Sequence, residues 1–221
     1  MQPTFEAVTS VKLGDSAYDQ ISRALMSGRL KPGTKLTIRA LADSLGTSST
    51  PVRDAVTRLI QDNALEQRSL RDVRVPLLTE SRFREIIEIR VELEAIAARH
   101  ASENASADDI AALEEIIDRN EAAFREEDWD AASGCNQEFH FKIVNIARME
   151  ILGGMLSALW LQTGPVVSSF YQRGGRSMVD EHYAIVAAIK AGDADAAARV
   201  MKRDVAGSVE GIVAYLRELA Q

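Results

Sequence analysis

Asn136 and His140 stand four residues apart in a stretch whose apolar positions, Ala132, Cys135, Phe139, Ile143 and Ile146, recur at helical spacing. Both therefore sit at the edge of a buried stripe. His182 falls in a second stripe made by Met178, Ile185, Val186 and Ile189. Asp204 falls in a third, with Ala197, Val200, Met201, Val205 and Ile212. Three helices thus each turn a potential metal ligand inward. A buried imidazole or carboxylate without a partner is costly, and one divalent ion gripped by facing helices would compensate all three. Each histidine taken singly reads as an ordinary core or surface histidine; the convergence is what points to a metal. Arg90 lies on the stripe Phe83, Ile86, Ile87, Leu93 and Ala97 and aims its guanidinium at the same interior. Two readings stand for it. One is a helical ion pair with Glu94, worth a few tenths of a kcal/mol. The other is a fork for a ligand carboxylate beside the metal.

The elements that would position these groups are all helical. From Thr79 onward the pattern predicts helices at about 80–102, 106–127, 129–147, 150–172, 177–190 and 193–219. Thr79 caps the first, and Ser106 with Asp109 forms a capping-box signature at the start of the second. Pro165 is expected to kink or split the fourth. Ser168, Ser169, Tyr171 and Arg173, just after it, are candidates to line the pocket. Six helices with short connections imply an antiparallel bundle.

The first third of the chain reads differently. Thr37–Asp62 holds two short helical patterns around a tight break. Thr37 can cap the first, whose stripe is Ile38, Leu41 and Leu45, and Gly46 stops it. Thr47, Ser48 or Ser49 can cap the second, with Pro51 in its first turn and Val52, Ala55, Val56, Leu59 and Ile60 on its buried face. This is either an ordinary helical hairpin or a helix-turn-helix, whose second helix enters the major groove by its N-terminus. The short hydroxyls and Arg53 at that end suit phosphates and base edges. An amphipathic run at Tyr18–Leu30 precedes the pair, and strand-like pieces at Leu65–Arg68 and Asp72–Val75 follow it as a hairpin or wing. The net charge of −7 divides unevenly. Residues 1–78 hold 11 Lys/Arg against 8 Asp/Glu, the remainder 15 against 25. The basic excess thus coincides with the proposed DNA-binding segment.

The ordered set Tyr18…Ile21, Gly28-Arg29-Leu30-Lys31-Pro32-Gly33, Leu41-Ala42-Asp43-Ser44-Leu45-Gly46 and Ser48-Ser49-Thr50-Pro51-Val52-Arg53-Asp54-Ala55-Val56 resembles the DNA-binding domain of the GntR family of bacterial transcription regulators. The second half, through Arg90…Leu93-Glu94…Ala97-Ala98, Phe139-His140, His182 and Ala188-Ile189…Gly192-Asp193, resembles the FCD-type effector domain of the FadR-like subgroup. The resemblance implies a mainly α fold: an N-terminal winged helix-turn-helix domain, then an all-α antiparallel bundle that binds an effector. The domains would run 1–12 (a mobile arm), 13–76 (DNA-binding), 77–79 (a linker) and 80–221 (effector-binding). DNA contacts would fall to Arg39, Ser48, Ser49, Thr50, Arg53, Arg68 and Arg71. Ser49 stands where the family usually has a base-reading arginine, so one operator base should be less strictly specified. Metal-binding members use an Asp and a His four apart and two further histidines. Here Asn136 replaces the Asp and Asp204 the last His, while His140 and His182 match. A site for zinc or nickel remains feasible with altered geometry. His100 matches no ligand position and reads as structural.

No apolar run approaches the length of roughly 20 residues that spans a bilayer, the N-terminus lacks a secretory core, and one cysteine, Cys135, fits a reducing cytoplasm. The expected protein is a cytoplasmic homodimer that binds double-stranded DNA, most often as a repressor, and responds to a small carboxylate effector, with no membrane partner. The alternative is a metal-dependent helical-bundle hydrolase in which His140, His182 and Asp204 activate water. It leaves the basic segment unexplained.

Overall fold

The computed structural model of the chain describes residues 11–69 and 72–220. Helix α1, Val11–Met26, buries Ala17, Ile21 and Leu25 on one face. It begins ahead of the expected run: residues 1–10 of the proposed arm lie outside those described, while Val11 and Lys12 are helical. Strand β1, Lys35–Leu36, leads into α2, Ile38–Leu45. The Thr37 hydroxyl accepts from the Ala40 amide at the start of α2, and Gly46 ends it at φ 62°, a conformation that glycine takes without strain. Helix α3, Ser49–Gln61, buries Val52, Ala55, Val56 and Leu59. The wing is β2, Glu66–Ser69, and β3, Asp72–Arg74. The antiparallel sheet has the order β1-β3-β2, with Leu36 and Gln67 both opposite Val73. Strand β1 escaped the sequence reading because two residues show no alternation. Tyr18 donates to Asp62 (2.7 Å) and Arg58 pairs with Asp15 (2.7 Å), so polar contacts reinforce the apolar face between α1 and α3.

After Thr79, whose hydroxyl caps it, α4 runs Glu80–Asn104. Helices α5, Ala107–Arg125, α6, Trp129–Ala147, and α7, Glu150–Gly174, follow. A 3₁₀ turn, Gly175–Met178, leads to α8, Asp180–Lys190, then α9, Ala194–Gly207, and α10, Val209–Leu219. Helix α4 is central and packs on α6, α7, α8, α9 and α10. The capping box at Ser106 and Asp109 forms as expected. One expectation needs correction, and a second is narrowed. The last predicted helix is two, broken at Ser208, so α10 turns onto α4: Glu210 pairs with Arg84 and Arg217 with Glu80. The low helix propensity of Gly207-Ser208 permits the break. Pro165 does not split α7, which continues through it. Helix α7 is also long and apolar enough, by length and composition alone, to cross a bilayer. Its Leu152, Leu156, Trp160, Leu161, Val166 and Phe170 are core residues of the bundle, and a buried core helix meets the same criterion.

The C-terminal end of α1 is seated on α7 with almost no space between backbones. A Cβ at Gly164 would lie 2.7 Å from the Met26 Cα and 2.8 Å from its carbonyl oxygen. A Cβ at Gly28, φ +72°, would lie 2.0 Å from the Ser168 side chain. Gly164→Ala is therefore expected to destabilise the protein by about 1–3 kcal/mol, because overpacking strain exceeds the roughly 0.5–1 kcal/mol that alanine returns inside a helix. Gly134→Ala in α6, where nothing lies within 4 Å, should stabilise by that smaller amount. Thermal unfolding of the two variants checks the sign at each position.

Candidate metal and effector site, and the DNA-facing surface

Helices α4, α6, α8 and α9 bring one polar cluster into the apolar core. His140 (α6), His182 (α8) and Asp204 (α9) place ligand atoms within 4.8 Å of one another. His140 Nε2 is 3.3 Å from Asp204 Oδ2, and His182 Nε2 is 3.6 Å from Asp204 Oδ1, with all three side chains at most 5 % exposed. Two ligand atoms about 2.0–2.1 Å from a tetrahedral metal are separated by about 3.3 Å. The His140 spacing matches that edge, and the His182 spacing, to the other carboxylate oxygen, is slightly longer. His182 Nε2 has no hydrogen-bond partner among the described residues, and its ring stacks on Phe139 at 4.0 Å. A buried ring nitrogen left unpaired in this way is what a metal would satisfy, so these residues fit one. Asn136 lines the same cavity with Ile87, Arg90, His140 and Asp204.

Arg90 realises the ion-pair reading. Its Nε donates to Glu94 Oε1 at 2.8 Å, its Nη1 to the Thr163 hydroxyl at 3.1 Å, and its guanidinium lies 4.0 Å from the Trp160 ring centroid. Because the pair is buried, losing either partner would strand a charge, which makes it far more consequential than an exposed helical pair. Glu94, 1 % exposed, also accepts from the Trp160 indole at 3.2 Å, and its second oxygen lies 2.6 Å from His140 Nδ1. That contact is not aligned as a hydrogen bond, and neither atom has another partner among the described residues. So close an approach of two polar atoms is favourable only when one of them carries a proton. Sequence reasoning met Glu94 as a mate for Arg90 and as part of the motif that resembles the FCD type, gave it no role beside His140, and overlooked Trp160 and Thr163. The signal available was the four-residue spacing that puts Arg90 and Glu94 on one face.

These contacts set the protonation of the metal-free cluster. Burial opposes ionisation of Glu94, but Arg90 and His140 outweigh it and hold its pKa at about 2. Burial likewise disfavours a charged His140, yet the Glu94 carboxylate wins and raises it. Burial pushes Asp204 up to about 7. Burial, with His140 nearby, drives His182 well below the usual histidine value, so it is neutral.

The cavity beside the cluster measures about 30 Å³ and is also lined by Trp160, Val167, Met178, Val205 and Ile212, room for about one water. Ser168, Ser169, Tyr171 and Arg173 do not line it. Tyr171 accepts from Asn120, Arg173 pairs with Glu218, and Ser168 and Ser169 face a separate cleft of about 520 Å³ beside Lys31 and Trp129. His100 pairs with Glu103 near the surface, away from the cluster. Cys135 is a buried helix residue whose thiol pKa burial raises.

At the other end of the chain, Ser48, Ser49, Thr50 and Arg53 are all exposed at the start of α3. Ser48 takes the N-cap position without spending its hydroxyl on the cap. Arg39, its side chain 92 % exposed, stands 4.0 Å from Asp43. In the wing Arg68 is held by Glu66 at 2.7 Å, and Arg71 lies outside the described residues.

Comparison with known proteins accords with both halves. The family model described as bacterial regulatory proteins, gntR family, matches residues 13–75, and that of the FCD domain matches residues 85–207. The HTH-type transcriptional regulator McbR of Escherichia coli is 32% identical over 204 residues, covering 89% of this chain and 92% of its own. The solved structure of E. coli McbR/YncC superposes with a TM-score of 0.82 at 29% identity, over 97% of this chain and 100% of that one. A GntR structure from Rhodococcus sp. RHA1 shares the fold, with a TM-score of 0.76 at 19% identity over 92% and 99% of the two chains. These relatives are regulators, and the hydrolase alternative is set aside.

Proposed function

Because the chain belongs to the GntR family of bacterial regulatory proteins, with an FCD domain, we propose that it represses from a palindromic operator as a homodimer. A small organic acid, bound in the bundle beside a divalent metal, releases it. Family membership makes the chain a ligand-responsive, DNA-binding transcription regulator and not an enzyme. The observation that carries the proposal for the effector is the buried, charged cluster of Arg90, Glu94, His140, His182 and Asp204 inside a mainly apolar bundle core. His140, His182 and Asp204 would hold the ion, with Asn136 as a neutral oxygen ligand, and zinc or nickel suits the imidazoles. The bound ion would supply a positive charge that draws in a carboxylate. With a divalent ion the cluster carries +2 and +1 from Arg90 against −1 each from Glu94 and Asp204, so one carboxylate completes neutrality.

Arg90 already has Glu94 in its fork, so an incoming carboxylate would take the guanidinium edge facing Thr163. It would also need more than about 30 Å³. Met178, a flexible thioether side chain, is the lining residue best able to swing aside. A thermal-shift screen of carboxylic acids on zinc-loaded protein, followed by operator release measured by fluorescence anisotropy, tests the proposal. If every stabilising acid leaves the operator bound, the bundle does not control DNA affinity in this way.

Metal uptake should be strongly pH-dependent. Near pH 6 Asp204, pushed up to about 7, and His140, raised by Glu94, both hold protons that they must lose to act as ligands. Zinc affinity is therefore expected to rise from pH 6 to pH 8, by up to about tenfold per pH unit for each proton released. A flat profile in a chelator-competition titration would exclude Asp204 as a ligand.

The dimer reading is supported by large apolar side chains left exposed, among the described residues, on two adjoining helices. Ile89 and Ile96 on α4 are 44% and 39% exposed, and Ile151 and Met155 on the adjoining α7 are 82% and 55% exposed. Ile151→Glu with Met155→Glu is expected to give monomers by analytical ultracentrifugation. It should also weaken operator binding steeply, since two half-sites about one helical turn apart need two linked winged domains. Work on the operator places the protein with the chromosome, in the cytoplasm.

A further inference from the structure

We propose that Glu94 is a positioning residue for the metal, fixing His140 with its proton on Nδ1 and its Nε2 lone pair aimed toward Asp204 and His182. This rests on the metal reading above. Glu94 Oε1 is fully engaged: Arg90 donates to it through Nε at 2.8 Å, with Nη2 also 2.7 Å away in the ion pair, and the Trp160 indole donates at 3.2 Å. That leaves Oε2, buried and facing only His140 Nδ1 at 2.6 Å. An ionised carboxylate can only accept, so Nδ1 must carry the hydrogen. The ring then has one orientation and one free lone pair, on the nitrogen 3.3 Å from Asp204. Arg90 and Trp160, both donors to Oε1, stop the carboxylate rotating away. Such outer carboxylates orient ligating histidines and raise their basicity, and their loss weakens metal binding by about 10–100-fold.

The wiring makes Glu94→Gln an unusually informative change. Arg90 and Trp160 both donate to the Oε1 position, so the new amide must place its oxygen there and turn its NH₂ toward His140. Donor would then face donor unless Nδ1 gives up its hydrogen. The ring is driven to the other tautomer, with hydrogen on Nε2, where the metal needs a lone pair. A residue that merely filled space would leave the tautomer unchanged on so conservative a substitution.

The test uses full-length protein, zinc as the probe, and His182→Ala as the control for loss of a ligand. Chelator competition is expected to give one zinc per wild-type chain and about 10–100-fold weaker binding for Glu94→Gln. Imidazole ¹⁵N NMR of the zinc-loaded wild type should place the metal on His140 Nε2 and the proton on Nδ1. The metal-free Glu94→Gln protein at pH 8 should carry the proton on Nε2. Equal zinc affinity in the two proteins, with His182→Ala impaired, overturns the role of Glu94 while leaving the metal site standing. Coordination through Nδ1 in the wild type overturns it without recourse to any variant, even if Glu94→Gln fails to fold. A wild-type chain that takes up no zinc overturns the metal reading and this inference together.

Discussion

Arg53→Ala is expected to abolish specific operator binding while leaving weak, salt-sensitive association with any duplex. Arg53 is exposed near the start of α3, the end of a recognition helix that faces base edges in a helix-turn-helix. It makes no ion pair among the described residues, so no intramolecular partner need be broken for it to reach DNA. A bidentate arginine–guanine contact is worth about 1–3 kcal/mol of discrimination, and a dimer loses two. Arg68 stands in contrast, already held by Glu66. Its contribution should be to phosphates, its loss lowering affinity for all sequences alike and flattening the salt slope. Anisotropy titrations with operator and scrambled duplexes at several salt concentrations separate the two behaviours. Normal operator preference in Arg53→Ala would mean that α3 docks in some other orientation.

His182→Ala is expected to remove metal and effector response together, with operator affinity of the effector-free protein nearly intact. The substitution deletes one of the three convergent ligands, so the loss should exceed the roughly 10–100-fold typical of an outer-sphere partner. Effector binding falls with it because the remaining cluster offers only Arg90, already neutralised by Glu94, to compensate a desolvated anion. The lost stacking on Phe139 and the cavity left behind will lower stability as well, by about 2–4 kcal/mol by analogy with other large-to-small core changes. DNA affinity is therefore best measured in the cold. Calorimetry of the same acid on wild type before and after chelation completes the test: equal affinity in both states would mean that the effector does not meet the metal.

Much of this could be read along the chain. The boundaries of α6 and the caps at Thr37, Thr79 and Ser106 are local facts, set by side-chain oxygens one turn from the amides they accept. The convergence of His140, His182 and Asp204 was legible because each sits on a long, regular apolar stripe. What escaped is non-local. Strand β1 exists only because β3 pairs with it. The break at Ser208 reflects where α10 finds Arg84 and α4, and the continuity of α7 through Pro165 reflects tight packing around it. Most telling is Glu94. Spacing alone reveals a pair with Arg90, and only the fold reveals that the same carboxylate also meets Trp160 and His140.

The seat of α1 on α7 bears on how proteins of this build can be recombined. By sequence alone, a cut at the Pro76–Thr79 connection is the place to exchange one DNA-reading module for another. Yet such an exchange carries Gly28 and Met26 away from Gly164 and Ser168, the residues shaped to receive them. A host bundle with any larger side chain at position 164 would refuse the graft, or accept it at an altered angle that misplaces both reading heads. The true seam between the modules therefore runs through the middle of α7, and a functional chimera must transplant that stretch together with the winged domain.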